Sequence, residues 1–100
     1  MIIIAGTLTF DADKAGLLAE GFDKMQAASL AEDGCHAYEY YLDRKSPGTV
    51  LMFEKWETDE ALAAHMQSPH MAEFGATMGG IGITGMDLKK YSGATEGPLF

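Results

Sequence analysis

The order of extended and helical segments is the feature of this chain that most restricts its fold. Residues 2–10 are β-branched and apolar on both alternating faces, which predicts a strand that is covered on both sides. Residues 13–33 carry large side chains every three or four positions, as on the buried face of a helix. Gly34 is placed to end that helix in the left-handed conformation, and residues 35–44 predict a second strand.

The second half of the chain repeats this order. Residues 45–48 have the composition of a hairpin turn and lead into a third strand over 49–56. Thr58 can cap a short helix, and the Ser-Pro pair at 68–69 ends it and opens a second one, because proline is tolerated in a first helical turn. Residues 81–91 predict the last strand.

The resulting order, β-α-β-β-α-β, predicts a ferredoxin-like α+β fold with one antiparallel sheet. Its helices cover a single face, and the other face would expose more apolar surface than a monomer usually does. We therefore predict a homodimer whose sheet faces pack together into a dimeric α/β barrel. The predicted domain covers residues 1–92, and residues 93–100 form a C-terminal tail whose Leu99 and Phe100 could dock on a partner.

Charge and cysteine content narrow the classes of function. Fifteen acidic against seven basic residues give a net charge of −8, with no basic cluster. Nucleic acid and anionic membranes are therefore not expected as partners. Cys35 is the only cysteine, and neither a signal peptide nor a membrane-spanning run is visible. These features predict a soluble, cytoplasmic protein.

The segment from Trp56 to Phe74 is where the sequence indicates chemistry. Leu62, His65 and Met66 fall at positions i, i+3 and i+4, so that one imidazole shares a helix face with apolar side chains. Imidazole titrates near neutral pH, which makes His65 the candidate catalytic base. A hydrogen-bonded core histidine is the alternative interpretation.

Around His65 we predict a pocket for a small aromatic substrate. The predicted substrate-binding residues are Trp56, Tyr38, Tyr40, Phe53, Met66, His70 and Phe74. Tyr38 and Tyr40 share a strand face and could donate phenolic O–H groups to the substrate. Packing in the core or at the dimer interface accounts equally well for the two tyrosines. Core packing is the alternative for Trp56 and the other apolar residues, and a structural role at the start of its helix is the alternative for His70. Glu54 is a candidate partner for an imidazole or for Arg44 of the partner subunit.

A metal site is the other chemical alternative, and the spacing does not favour it. Cys35 and His36 are adjacent on a strand and point to opposite faces. His65 and His70 lie five residues apart across a proline, unlike the i, i+4 pair of helical zinc sites. We expect neither a metal nor another cofactor, and nothing in the sequence beyond the adjacent His36 supports Cys35 as a nucleophile.

Three segments, EDGCHAYEYYLD, LMFEKWETDEALAAHMQSPHMAEF and MDLKKY, resemble the antibiotic biosynthesis monooxygenase family. The resemblance is strongest in the pattern formed by Trp56, His65, Ser68, Pro69 and His70. This pattern is more specific for the fold than for any one reaction.

The resemblance extends over about residues 1–92 and implies a dimeric α/β barrel. The family includes cofactor-independent monooxygenases of quinols and anthrones, haem-degrading monooxygenases and an isomerase. The haem-degrading branch uses an Asn, a Trp and a His where this chain has Gly6, His65 and Gly75, so haem degradation is not expected. The quinol-oxidising branch is more similar, since it shares the GCHxY start of strand two and the HxxxPH segment.

We therefore predict a cofactor-independent monooxygenase that oxidises a small phenolic, quinol or anthrone-like substrate with O2, with His65 as base. Isomerisation or degradation of a small oxo-compound in the same pocket is one alternative. A non-catalytic dimer that binds a small molecule is the other.

Overall fold

The computed structural model describes residues 1–100 and has the predicted order of elements. The strands and helices are β1 Ile2–Phe10, α1 Ala15–Leu30, β2 Cys35–Leu42, β3 Thr49–Trp56, α2 Asp59–Met66, α3 Pro69–Gly79 and β4 Ile83–Tyr91. The first helix is shorter than predicted, because residues 12–14 form a separate 3-10 turn and the α-helix ends at Leu30. Gly34 has a φ of 83°, which confirms the left-handed residue before β2.

The four strands form one antiparallel sheet in the order β2-β3-β1-β4, and the fold is ferredoxin-like. Burial in β3 shows which face the helices cover. Val50, Met52 and Trp56 are buried beneath the helices, whereas Leu51 between them is half exposed on the opposite face. The core therefore lies in a single layer between the sheet and the helices.

The helices around the core begin where the side chains predict. The Thr58 hydroxyl accepts from the backbone N–H of Ala61 at the start of α2, and the Ser68 hydroxyl accepts from that of Met71 at the start of α3. Pro69 occupies the first turn of α3, where its missing N–H leaves no hydrogen bond broken. The Ser68 hydroxyl also donates to the His65 carbonyl at 2.7 Å, so this cap fixes the angle between the two helices.

The face of the sheet away from the helices is uncovered within one chain. Tyr41, Leu51 and Tyr91 are each about half exposed there. The strand β1 is consequently buried only at Ile2, Leu8 and Phe10, and the cover predicted for its second side does not come from this chain.

The last residues do not leave the domain at once. The Ala94 N–H donates to the Met1 carbonyl at 2.9 Å, and Glu96 forms an ion pair with Lys55 of β3. Leu99 and Phe100 beyond it are fully exposed. None of the helices has the length and apolar character that a bilayer-crossing segment needs.

Gly6 allows β1 and β4 to approach closely, which gives a first testable prediction. Its φ is 149°, and a Cβ built there would lie 1.9 Å from the carbonyl oxygen of Asp87. We expect Gly6→Ala to lower the free energy of unfolding by about 3 kcal/mol, because the strands must separate. Gly75→Ala is the matched control, since a Cβ there meets nothing within 4 Å and alanine should stabilise α3 by about 0.4–1 kcal/mol. Equal urea midpoints for the two variants would contradict the prediction.

Candidate active site

A cavity of about 770 Å³ lies between the covered face of the sheet and helices α2 and α3. Twelve of its 18 lining residues are hydrophobic, and five of these are methionines. The lining is Ile4, Leu8, Tyr38, Met52, Glu54, Leu62, His65, Met66, Met71, Phe74, Met78, Gly79, Gly82, Ile83, Met86, Leu88, Lys89 and Lys90. A volume of this size accommodates a small polycyclic molecule.

His65 lies at the polar end of this cavity and is only 1% exposed. The Thr58 cap starts α2 so that Leu62 and His65, three positions apart on one helix face, are turned towards the core. The imidazole packs against the indole of Trp56 at a centroid distance of 4.6 Å and against the ring of Tyr38 at 5.7 Å. Aromatic packing on two sides restricts the ring to one orientation.

A carboxylate from the turn after α1 fixes that orientation further. His65 Nδ1 lies 2.7 Å from Oε2 of Glu32, and Nε2 of His70 lies 3.4 Å from Oε1 of the same carboxylate. An ionised carboxylate only accepts hydrogen bonds, so in the neutral imidazole Nδ1 carries the proton. Nε2 of His65 then has a free lone pair, and no group of the chain hydrogen-bonds to it. This is the arrangement that a general base requires.

Glu54 is the second carboxyl group at this end of the cavity and is 7% exposed. Its Oε1 accepts from the indole N–H of Trp56 at 3.0 Å. Burial raises the pKa of Glu54, although the indole bond and the nearby His65 partly oppose that shift. The Tyr38 residue stands opposite Glu54 in the β2–β3 ladder, and burial raises the pKa of its phenol strongly. The pKa shifts of both groups are therefore in the direction that favours the protonated form.

The raised pKa of Glu54 predicts a pH dependence of stability. The folded state binds the Glu54 proton more tightly than the unfolded state does, so this stabilisation is present at low pH. It is lost as the pH rises through the folded-state value. Gln cannot ionise but its carbonyl can still accept from Trp56, so we expect the stability of Glu54→Gln relative to wild type to increase from pH 4 to pH 8. Urea unfolding across that range measures it, and a constant difference would contradict the prediction.

Four of the residues predicted for the site meet around this cavity. His65, Tyr38, Met66 and Phe74 all line it, from α2, β2 and α3. Trp56 does not reach the cavity, because it is fully buried behind His65, where it supports the imidazole and holds Glu54.

The other three predicted residues lie elsewhere. Phe53 was expected in the pocket, but it alternates with Met52 and Glu54 along β3 and lies on the uncovered face of the sheet, opposite Ala5. The ring of Tyr40 stacks on Phe22 at 4.7 Å, and its hydroxyl bonds to Asp23 of α1.

Burial, together with the Asp23 bond, raises the pKa of Tyr40 to about 12. His70 faces a separate groove between α1 and α3, and it meets the site through Glu32 and through its ring, which lies 5.8 Å from that of His65. Burial first, and then the charge of Glu32, raises the pKa of Cys35 to about 11. A thiol in this state is not a nucleophile at neutral pH.

Glu32 is the functional residue that sequence reasoning missed. It lies 33 positions before His65, so no local spacing connects the two. The connection depends on Gly34, because a Cβ there would come within 2.7 Å of Ala61 Cβ on α2. Because glycine has no Cβ, the turn between α1 and β2 can pack closely against α2. The Glu57 N–H donates a hydrogen bond to the Gly34 carbonyl at 2.8 Å. The part of the lining contributed by β4 was missed as well.

Comparisons with known proteins identify the family and agree with the fold. Residues 1–77 match the family model described as antibiotic biosynthesis monooxygenase. A 67-residue segment is 33% identical to the "Probable quinol monooxygenase YgiN" of Escherichia coli K12, covering 59% of this chain and 64% of that relative. The chain thus spans less than two thirds of the length of this curated relative.

Solved structures show the same fold over nearly the whole chain. A Deinococcus radiodurans protein provisionally described as an antibiotic biosynthesis monooxygenase superposes with a TM-score of 0.90 at 25% identity, covering 100% of this chain and 99% of its own. Rv0793 from Mycobacterium tuberculosis superposes with a TM-score of 0.83 at 26% identity, with 97% of each chain covered.

Proposed function

The chain belongs to the antibiotic biosynthesis monooxygenase family, and from this membership and the geometry around His65 we propose that it oxidises a small quinol or related phenolic substrate with O2. The reaction needs no cofactor, because the substrate itself supplies the electrons. The YgiN relative, named a quinol monooxygenase, supports a quinol over other phenols.

The observation that carries the proposal is the Glu32–His65 pair at the end of an apolar cavity. Nε2 of His65 removes a proton from a substrate hydroxyl, and the Glu32 carboxylate stabilises the imidazolium that results. The quinolate anion is electron-rich enough to reduce O2 directly. The apolar walls keep water away from the reactive species.

The overall reaction balances without another reductant. The quinol supplies two electrons on becoming a quinone, and a ring C–H that becomes C–OH supplies two more. Together they reduce one O2, of which one atom enters the ring and the other leaves as water. The Tyr38 phenol, whose pKa burial raises, can donate to the reduced oxygen, and Glu54 can do so in its protonated form.

The test is O2 consumption by metal-stripped protein over a panel of quinols, anthrones and catechols. We expect uptake above the autoxidation blank for at least one quinol, with one O2 consumed per substrate and one oxygen atom from ¹⁸O2 incorporated into the product. Turnover under anaerobic conditions would instead identify an isomerase. Saturable stabilisation by these compounds without turnover would identify a binding module.

The proposed assembly is a homodimer in which the uncovered sheet faces pack against each other. Leu51, Tyr41 and Tyr91 expose apolar surface on this face, and Ala5 and Phe53 lie opposite each other on its two central strands. Light scattering at micromolar concentration should give twice the mass of the chain, and a monomeric mass would refute the dimer. The proposed location is the cytoplasm, where the single thiol of Cys35 would stay reduced.

A further inference from the structure

We propose that Glu32, His65 and His70 form a binding site for a divalent transition-metal ion, with Zn²⁺ as the ion of first choice, and that its occupation turns off the base function of His65. Each residue offers one ligand atom, and the three atoms lie within 4.8 Å of one another. Two imidazoles and one carboxylate are a ligand set that suits Zn²⁺, Co²⁺ and Ni²⁺ and is poor for Mg²⁺ or Ca²⁺.

The side chain of His70 has a ring nitrogen that lacks a hydrogen-bond partner, which supports a bound ion at this place. Its Nε2 is buried and makes no hydrogen bond, although Oε1 of Glu32 is 3.4 Å away. A buried ring nitrogen without a partner is unusual, because it loses its hydration and gains nothing in exchange. A cation between His70 and Glu32 would use the lone pair of that nitrogen together with the carboxylate charge.

The spacing and the access route are compatible with an ion. Ligand atoms about 2.0–2.2 Å from a tetrahedral Zn²⁺ are roughly 3.4 Å apart, which is the present distance from His70 Nε2 to Glu32 Oε1. The 2.7 Å from His65 Nδ1 to Glu32 Oε2 is shorter, and it must lengthen when the ion replaces the proton between them. His70 also lines the groove between α1 and α3, and its side chain is a quarter exposed. The ion can therefore reach the cluster from outside without passing through the apolar cavity.

Occupation of this site would change the chemistry of His65. A metal ion takes the lone pair of Nδ1, so a neutral imidazole must then carry its proton on Nε2, the nitrogen that faces the cavity. Nε2 becomes a donor and can no longer accept a substrate proton. The metal site itself is independent of the proposed oxygenase activity, and only this inhibitory consequence rests on it.

Metal binding is tested with the untagged, metal-stripped chain, titrated with Zn²⁺ by calorimetry and with Co²⁺ by visible absorption. We expect one ion per chain, with binding at least about tenfold weaker in His70→Ala and in Glu32→Gln. His36→Ala is the matched control, since His36 lies 3.9 Å from Glu57 on the surface, outside the cluster. Circular dichroism shows whether each variant is folded.

The results separate the possibilities cleanly. No saturable binding by wild type, unchanged binding in folded His70→Ala, or a loss equal to it in His36→Ala would each overturn the site. The proton position is read from ¹⁵N spectra of the His65 ring, where Zn²⁺ should move the N–H signal from Nδ1 to Nε2. An unmoved proton with bound Zn²⁺ would overturn the switch. Absence of O2 uptake would refute the oxygenase proposal and leave these binding results standing.

Discussion

Replacement of His65 by alanine is expected to lower the rate of O2 uptake with a quinol substrate by about 10²–10⁴-fold, the usual contribution of a positioned general base. His65 is the group of the cavity whose geometry fits a general base. Burial raises the pKa of the Tyr38 phenol strongly, and the Glu54 carboxyl is occupied by the Trp56 indole N–H. Steady-state O2 consumption at saturating substrate measures the loss.

Two further variants separate proton abstraction from packing. His65→Asn can still donate to Glu32 but has no basic nitrogen, so it should lose as much activity as the alanine variant while remaining better folded. Glu32→Gln keeps a hydrogen-bond acceptor beside Nδ1 and loses only the charge, so its activity should fall less. Wild-type turnover by folded His65→Asn would eliminate His65 as the base.

Trp56→Ala is expected to lower the free energy of unfolding by about 3–5 kcal/mol, the largest effect on stability in the chain. The indole is fully buried between β3 and His65, so its removal leaves a large cavity in the core. It also removes the only hydrogen-bond donor to the buried Glu54 carboxyl, which adds to the cost.

Urea unfolding followed by circular dichroism measures this loss. Trp56→Phe is the control, because it keeps most of the buried volume and loses only the N–H donor, and its destabilisation should be clearly smaller. A loss below about 1 kcal/mol for the alanine variant would show that the indole does not support the core as described.

Much of the fold could be predicted because local chemistry and tertiary structure agree. Thr58 and the Ser68-Pro69 pair start their helices where capping preferences place them, and Gly34 adopts the left-handed conformation that its position implies. The end of α1 was placed three residues too late, because the helix was extended up to Gly34 and periodicity alone does not show where helical hydrogen bonds stop.

The site was less predictable than the fold. His65 could be singled out because helical spacing places it on the same face as the apolar residues Leu62 and Met66. Phe53 was misplaced because an apolar residue in a strand signals burial but not which side of the sheet buries it. Glu32 could not be found, since its contact with His65 depends on how the Gly34 turn meets α2 in three dimensions.

Five of the seven methionines in the chain line the cavity, and this has a consequence for what the cavity can hold. Thioether side chains are unbranched and polarisable, so walls made of them adjust to the outline of whatever occupies them. We therefore expect the cavity to select ligands mainly by whether a hydroxyl group can reach His65, and much less by the shape of the ligand. Peroxides oxidise the same sulfur atoms to sulfoxides. Any peroxide released in the proposed reaction would therefore convert methionines of the cavity to methionine sulfoxide.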